Sequence, residues 1–458
     1  MNRVASRAGI AVLIALLLVA GLGFFVAEYV TEASQWVTFP GSPHVYSGGN
    51  IGCGSVVDSE GTLLLDLENG RTYADSKAIR KATVHWLGDR YGSISAPAVA
   101  DHAADLAGFD LLNGVYAYGD ASGVARLTLS SKVQTAALEA MGSKKGTVAV
   151  YNYKTGQIIC AVTTPSYDPD NVPDVAADTE GKYEGMYVNR FTQSTYIPGS
   201  IFKGVTLAAA LEEFSDAQDM QFKCTGSLKL EGGTITCESN HGNQSLKKAF
   251  RNSCNCAFAQ LALKIGAEKM EMYAQRFGIL ESIHFDGIET AAGNYQAVGG
   301  NEADIGWSGV GQYNDQINPC AYLNFIGAIA GGGKGAQPYV VESVKVGDSV
   351  TYGARTQIGK TVVSQETARI VTEYMRNNVK NNYGDSNFPG LTVCAKTGTA
   401  EVGGDKKPNA MLTGFVADGN YPLAFIVCVE DGGYGAKVCL PIASQVLEAC
   451  VEVMDGRR

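Results

Sequence analysis

Twenty consecutive residues without a charge, from Ala8 to Ala27, follow a seven-residue start that carries Arg3 and Arg7. An α-helix needs about 20 apolar residues to cross the hydrocarbon core of a bilayer, so this run suits lipid better than a protein core. A cleaved secretion signal is the competing reading. Its apolar core is shorter, about 7–15 residues, and ends at a small-x-small site. Here the run continues through Leu22, Phe24 and Phe25 into Glu28 with no clear Ala-x-Ala site. An anchor is the better fit. Arg3 and Arg7 lie on the short side, and the positive-inside rule then keeps the N-terminus in the cytoplasm. The expected layout is a cytoplasmic tail (1–7), a single-pass transmembrane helix (8–28), and everything beyond it outside.

The chain past the anchor is long enough for two domains, each with its own core. Charge narrows the partners. With 36 Lys+Arg against 46 Asp+Glu, the chain carries a formal −10. Proteins that bind a phosphate backbone draw most of their affinity from clustered cations, so nucleic acid is excluded as a partner. Cysteine usage gives no disulfide framework, because the 11 cysteines are odd in number and dispersed. Cys224 and Cys237 flank what reads as a hairpin, which would bring two thiols together. Cys254-x-Cys256 is a poor metal signal, since closed zinc sites use wider spacing and four ligands. No metal and no cofactor is expected.

Along the chain, Gly52–Leu64 reads as two short strands around a Ser-Glu-Gly turn, with helices expected near Asp75–Leu87 and Ala96–Leu106. Leu127–Leu129 reads as a strand feeding a helix over Ser131–Met141. Gly146–Tyr153 alternates, Lys154-Thr155-Gly156 turns, and Gln157–Val162 returns, which is a hairpin by pattern and turn chemistry. The texture changes there, and the boundary is placed so that 29–142 form one domain and 143–458 another.

Three short segments carry chemistry. In Ser200-Ile201-Phe202-Lys203, Pro198-Gly199 precede an Ala/Leu-rich helix, so Ser200 and Lys203 share one helix face at i, i+3. A serine is a weak nucleophile unless a base takes its proton, and a desolvated lysine can serve as that base. In Ser253-Cys254-Asn255, read as an extended loop, Ser253 and Asn255 project to one side. They would supply a proton-relaying hydroxyl and an amide that holds a peptide group. In Lys396-Thr397-Gly398-Thr399, read as a strand, Lys396 and Thr397 offer donors to a carboxylate. Gly398 lets a substrate approach closely, and the Thr399 N–H can face an oxyanion. Any one of these segments could be a capped helix, a turn or a protected edge strand.

Together and in this order, Ser-x-x-Lys, Ser-x-Asn and Lys-Thr-Gly make the set found in penicillin-binding proteins and class A β-lactamases. The chain resembles a class B penicillin-binding protein, the monofunctional transpeptidase of bacterial wall synthesis. The likeness spans most of 125–458, including Gly146–Pro165, Gly311-Gln312, Asn318-Pro319 and the Phe415–Glu430 region. In 29–124 the match is poor. A family segment survives there as Cys53-Gly54-Ser55-Val56-Val57-Asp58-Ser59 without its arginines.

The resemblance implies an α+β fold: an antiparallel sheet between helix layers, on a small mixed N-terminal pedestal with one transmembrane helix. It implies that Ser200 attacks the penultimate D-alanine of a stem peptide and that Lys203 takes its proton. Ser253 would return a proton to the departing D-alanine, and Asn255 would hold the peptide. Lys396, Thr397 and Thr399 would bind the terminal carboxylate, with the N–H groups of Ser200 and Thr399 as oxyanion hole. β-Lactams would acylate the same serine, and a multi-spanning membrane glycosyltransferase is the expected partner. A class A β-lactamase would need a deacylating Glu-x-x-Leu-Asn, absent between Asn255 and Lys396; Leu323-Asn324 comes after Pro319-Cys320-Ala321. A D,D-carboxypeptidase, a β-lactam sensor and a silent scaffold are the remaining alternatives. Residues 29–142 are too few for a glycosyltransferase domain.

Overall fold

The computed structural model describes residues 2–39, 41–42, 45–47, 50–68, 70–112, 115–116 and 122–456. Met1 of the expected tail, residues 40, 43–44, 48–49, 69, 113–114 and 117–121 of the expected pedestal, and 457–458 lie outside the described residues. A single helix, Asn2–Val37, contains the uncharged run and continues past its expected end at residue 28. Among the described residues it is the one helix long and apolar enough to cross a membrane. Leu17 and Leu18 stand 63% and 69% exposed, an arrangement that lipid stabilises and water does not. Phe25, Tyr29 and Trp36 cluster near its C-terminal end, as aromatic side chains do where a bilayer meets water.

Beyond the helix the chain builds a six-stranded mixed sheet. Its order is Ser349–Gly353, Val341–Val346, Gly123–Leu127, Ser55–Val57, Leu63–Asp66, Thr72–Tyr73. The expected strands around Ser59-Glu60-Gly61 pair antiparallel, and Ser55–Val57 runs parallel to Gly123–Leu127. The expected helix near Asp75–Leu87 forms as Lys77–Leu87, with Ser76 capping the Ile79 N–H. The expected Ala96–Leu106 helix is instead two short pieces, Pro97–Ala100 and Ala103–Leu106. His102 leaves the α region between them, at φ −104° and ψ 21°, and its ring packs on Tyr352 at 4.3 Å.

Two features interleave the halves of the chain. The hairpin of Val341–Val346 and Ser349–Gly353 completes the N-terminal sheet from far beyond residue 143. Conversely, the Ser131–Met141 helix packs on the C-terminal sheet. Asp58 joins the two. Its buried carboxylate accepts hydrogen bonds from the Ser131 N–H at 3.0 Å and hydroxyl at 2.6 Å, as well as from the N–H groups of Glu60 and Thr62. The segment around Asp58 thus serves as a joint.

The C-terminal sheet is antiparallel throughout, in the order Ile158–Thr164, Lys145–Asn152, Leu423–Glu430, Asn409–Val416, Val393–Ala400. Ser131–Met141 and Gly435–Gly456 pack on it as one layer, and Pro319–Ala330 packs on its central strands. Asn409–Val416 is buried along its whole length, and Lys145–Asn152 nearly so, so the alternation read in Gly146–Tyr153 marks no solvent-facing side: helices cover both faces of the sheet. Packing is close enough to use glycines as spacers: a methyl group at Gly327 would stand 1.5 Å from the Tyr151 hydroxyl. Gly327→Ala is expected to destabilise the domain by about 1–3 kcal/mol, the usual cost of overpacking, read as a lower denaturation midpoint. The edge strand Val393–Ala400 is the one that faces the candidate site.

Candidate active site

Ser200 lies on the tight turn Gly199–Ile201, just ahead of the Lys203–Glu213 helix. Gly199 holds φ +55°, and its N–H donates to the Gly311 carbonyl at 2.7 Å. A Cβ at Gly199 would lie 2.6 Å from the Thr399 carbonyl, and one at Gly398 would lie 3.0 Å from the Pro198 carbonyl. The two glycines let this turn press against the edge strand, a close approach that no other residue permits. Thr397, two residues before Thr399, turns its N–H outward to the Tyr383 hydroxyl at 3.0 Å. Strand geometry puts residues i and i+2 on the same side, so the Thr399 N–H faces the Ser200 turn.

Lys203 is fully buried at the centre. Its Nζ lies 2.9 Å from Ser200 Oγ and donates to the Ser253 carbonyl and Asn255 Oδ1, each at 2.6 Å; Ser253 Oγ is 3.1 Å away. Burial pulls its pKa down to about 7, because the charged form loses its hydration. Lys396 Nζ reaches the same Ser253 Oγ at 3.1 Å from the other side. Burial holds Lys396 well below the usual lysine range, and the nearby Lys203 charge adds to the effect. Two ammonium groups around one hydroxyl disfavour double protonation, so the site keeps a free amine near neutral pH.

All five candidate catalytic residues, Ser200, Lys203, Ser253, Asn255 and Lys396, come together, and Thr397, Gly398 and Thr399 line the adjoining strand. The Ser-x-Asn segment departs from the expected extended loop. It is a corner between the helices Leu246–Arg251 and Asn255–Ile265. Ser253 takes φ +51° there, which reverses the chain and turns its hydroxyl and carbonyl toward Lys203, while Asn255 opens the next helix. Asn255 Nδ2 donates to the Thr236 carbonyl at 2.7 Å, tying the corner to the neighbouring hairpin.

Sequence reasoning missed Tyr383. From a short π-helical turn, Val379–Tyr383, its hydroxyl sits 3.0 Å from Thr397 Oγ1 as well as meeting the Thr397 N–H. Nothing in Asn381-Asn382-Tyr383-Gly384 marks this role. Gln312, noted only as part of a likeness, donates to the Thr399 carbonyl at 3.3 Å. The expected meeting of Cys224 and Cys237 does occur, and it extends further. Cys224, Cys237, His241 and Cys254 bring their donor atoms within 4.8 Å of one another, directly behind Ser253 and Asn255.

The family model described as the penicillin binding protein transpeptidase domain matches residues 146–448. The chain is 30% identical over 357 residues to peptidoglycan D,D-transpeptidase PbpA of Mycobacterium tuberculosis, covering 71% of this chain and 72% of that one. It is 27% identical to stage V sporulation protein D of Bacillus subtilis, over 85% of this chain and 60% of the relative. Among solved structures, the ceftriaxone acyl-enzyme complex of penicillin-binding protein A from M. tuberculosis superposes with a TM-score of 0.75 at 26% identity, covering 87% of this chain and 98% of that one. A D,D-transpeptidase domain from Eggerthella lenta gives 0.74 at 26% identity, covering 88% and 98%. With two thirds of its length matched and the α+β fold shared, this chain belongs to the penicillin-binding protein transpeptidase family, as a class B member.

Proposed function

We propose that the protein is a peptidoglycan D,D-transpeptidase that crosslinks stem peptides through an acyl-enzyme on Ser200. The observation that carries this reading is the buried Lys203 amine, 2.9 Å from Ser200 Oγ and held near a pKa of about 7. A base with that pKa is half deprotonated at working pH, where proton transfer is most effective. As the Ser200 oxygen attacks the penultimate D-alanine carbonyl, its proton moves to Lys203 Nζ. The oxyanion gathers the N–H groups of Ser200 and Thr399. Ser253 Oγ, in reach of both lysines, passes a proton to the D-alanine amine as the peptide bond breaks. An amine from a second stem peptide then attacks the ester, releases Ser200 and forms the crosslink.

The terminal carboxylate fits Lys396, Thr397 and Thr399, while Asn255 holds the acyl peptide. On this reading the helix anchors the protein with its N-terminus in the cytoplasm and residues 143–458 outside. Residues 29–142 then serve as a pedestal toward a membrane-embedded glycosyltransferase. Tyr383 positions Thr397, and Tyr383→Phe is expected to slow β-lactam acylation about 3- to 10-fold, the worth of one or two hydrogen bonds. Rate measurements on purified protein check this.

The function is tested by incubating the detergent-solubilised full chain with a fluorescent penicillin, and separately with a pentapeptide donor and an amine acceptor. A label that persists for many minutes, together with a crosslinked peptide product, is the expected result. Rapid hydrolysis of the label would indicate a β-lactamase. Release of D-alanine without aminolysis would indicate a carboxypeptidase, and no label on folded protein would leave a scaffold.

A further inference from the structure

Immediately behind the Ser253–Asn255 corner, four side chains from different elements converge. Cys224 ends the strand Gln221–Cys224, and Cys237 comes just after the hairpin strand Gly233–Thr236. His241 precedes Gly242–Ser245, and Cys254 caps the Asn255–Ile265 helix. We propose that Cys224, Cys237, His241 and Cys254 bind one thiophilic divalent ion of the zinc type, clamping the hairpin to the Ser-x-Asn corner.

The distances fit such a site. A tetrahedral zinc with bonds of about 2.3 Å to sulfur sets ligand atoms about 3.8 Å apart. Cys237 and Cys254 Sγ are 3.7 Å apart, and Cys224 Sγ lies 3.5 Å from His241 Nδ1. A disulfide, by contrast, needs sulfurs about 2.05 Å apart, and all 11 thiols are free. The surroundings suit the charged form of the ligands. Backbone N–H groups of Gly226 and Cys256 point at the sulfurs of Cys224 and Cys237, at 3.4 and 3.3 Å. Cys254 is the residue that caps the Asn255–Ile265 helix, which fixes its sulfur between the helix and the hairpin. Ser239 Oγ lies 3.2 Å from His241 Nε2, and a hydrogen bond from that nitrogen leaves Nδ1 as the ligating atom.

Spacing within the sequence pointed away from zinc, because Cys254-x-Cys256 alone cannot close a four-ligand site. Tertiary structure recruits ligands from a distance instead. The bound form holds three thiolates and one neutral imidazole, which leaves the ion with its ligands at a net charge of −1. The neighbours of Cys254 are the Ser253 and Asn255 that hold Lys203, so the ion fixes the corner without touching substrate.

The test counts metal in the full-length, detergent-solubilised protein purified under reducing conditions with zinc present. The expected result is about one ion per chain, with cobalt exchange giving the absorption bands of a tetrahedral thiolate site. Cys224→Ser and His241→Ala, made separately, should each weaken binding about 10- to 100-fold or more, and stripping the ion should slow Ser200 acylation about 10-fold. No bound metal in the reduced wild type, unchanged binding in both variants, or a Cys237–Cys254 disulfide in the purified protein would each overturn the proposal. Metal counting does not depend on acylation, so failure here is distinct from failure of the transpeptidase assignment.

Discussion

Ser200→Ala is expected to leave no covalent adduct with any β-lactam and to lower transpeptidation by at least about 10⁴-fold. Deleting the nucleophile of a serine acyltransferase removes the covalent path altogether and leaves only binding and oxyanion stabilisation. The fold should survive the change. Ser200 is on a turn held by the Gly199 N–H to the Gly311 carbonyl, and the adjoining Ile201 carbonyl accepts from the Tyr322 hydroxyl at 2.7 Å. Neither bond uses the Ser200 side chain. Intact-mass spectra after penicillin treatment give the readout. An adduct that still forms on the alanine variant would move the nucleophile elsewhere and dismiss the proposed chemistry.

Lys203→Met carries the second large effect, an expected loss of about 10²- to 10⁴-fold in acylation rate, the usual worth of a general base. It also has a signature in pH. The free amine is the active form, and burial lowers the Lys203 pKa to about 7. Wild-type acylation should therefore rise as pH passes upward through about 7 and level off above it. The Met variant should lack this limb, because no amine remains at Ser200. Stability depends on the same amine and rises in the same direction. Where the folded pKa of a lysine is depressed, the unfolded chain binds more protons between that value and the ordinary lysine range. The wild type therefore gains stability as pH rises through that window. Replacing the buried amine with an apolar chain takes the donor from the Ser253 carbonyl and Asn255 Oδ1, so the melting midpoint at pH 7 should fall modestly and should rise less steeply with pH than in the wild type. A flat pH profile in the wild type would argue that Lys203 is not the base.

Much of the site was legible in the residues. Ser200 and Lys203 meet because i, i+3 positions share a helix face, a rule that needs no tertiary information. The apolar N-terminal helix announces itself by length and lack of charge, and the strand carrying Lys396 reads from its apolar neighbours. The Ser-x-Asn corner was legible in composition but not in shape. Its left-handed Ser253 results from the junction of two helices, each set by packing against the core. Tyr383 gave no signal, because its role depends on a π-helical turn meeting a strand that comes after it in sequence. The break at His102, where the ring packs on that of the distant Tyr352, likewise left no mark in the sequence.

By itself, then, the sequence determined the long apolar N-terminal helix, the order of the three motifs and the chemistry their side chains can perform. Those properties rest on local rules: helix and strand periodicity, charge, and the reactivity of each residue type. Only the tertiary structure decided that Lys203 is stripped of water, that Lys396 and Lys203 share Ser253, that 341–353 complete the N-terminal sheet, and that Cys224, Cys237, His241 and Cys254 face one another. Desolvation and convergence depend on which distant segments pack together. That is set by the burial of the whole core rather than by any one stretch of chain.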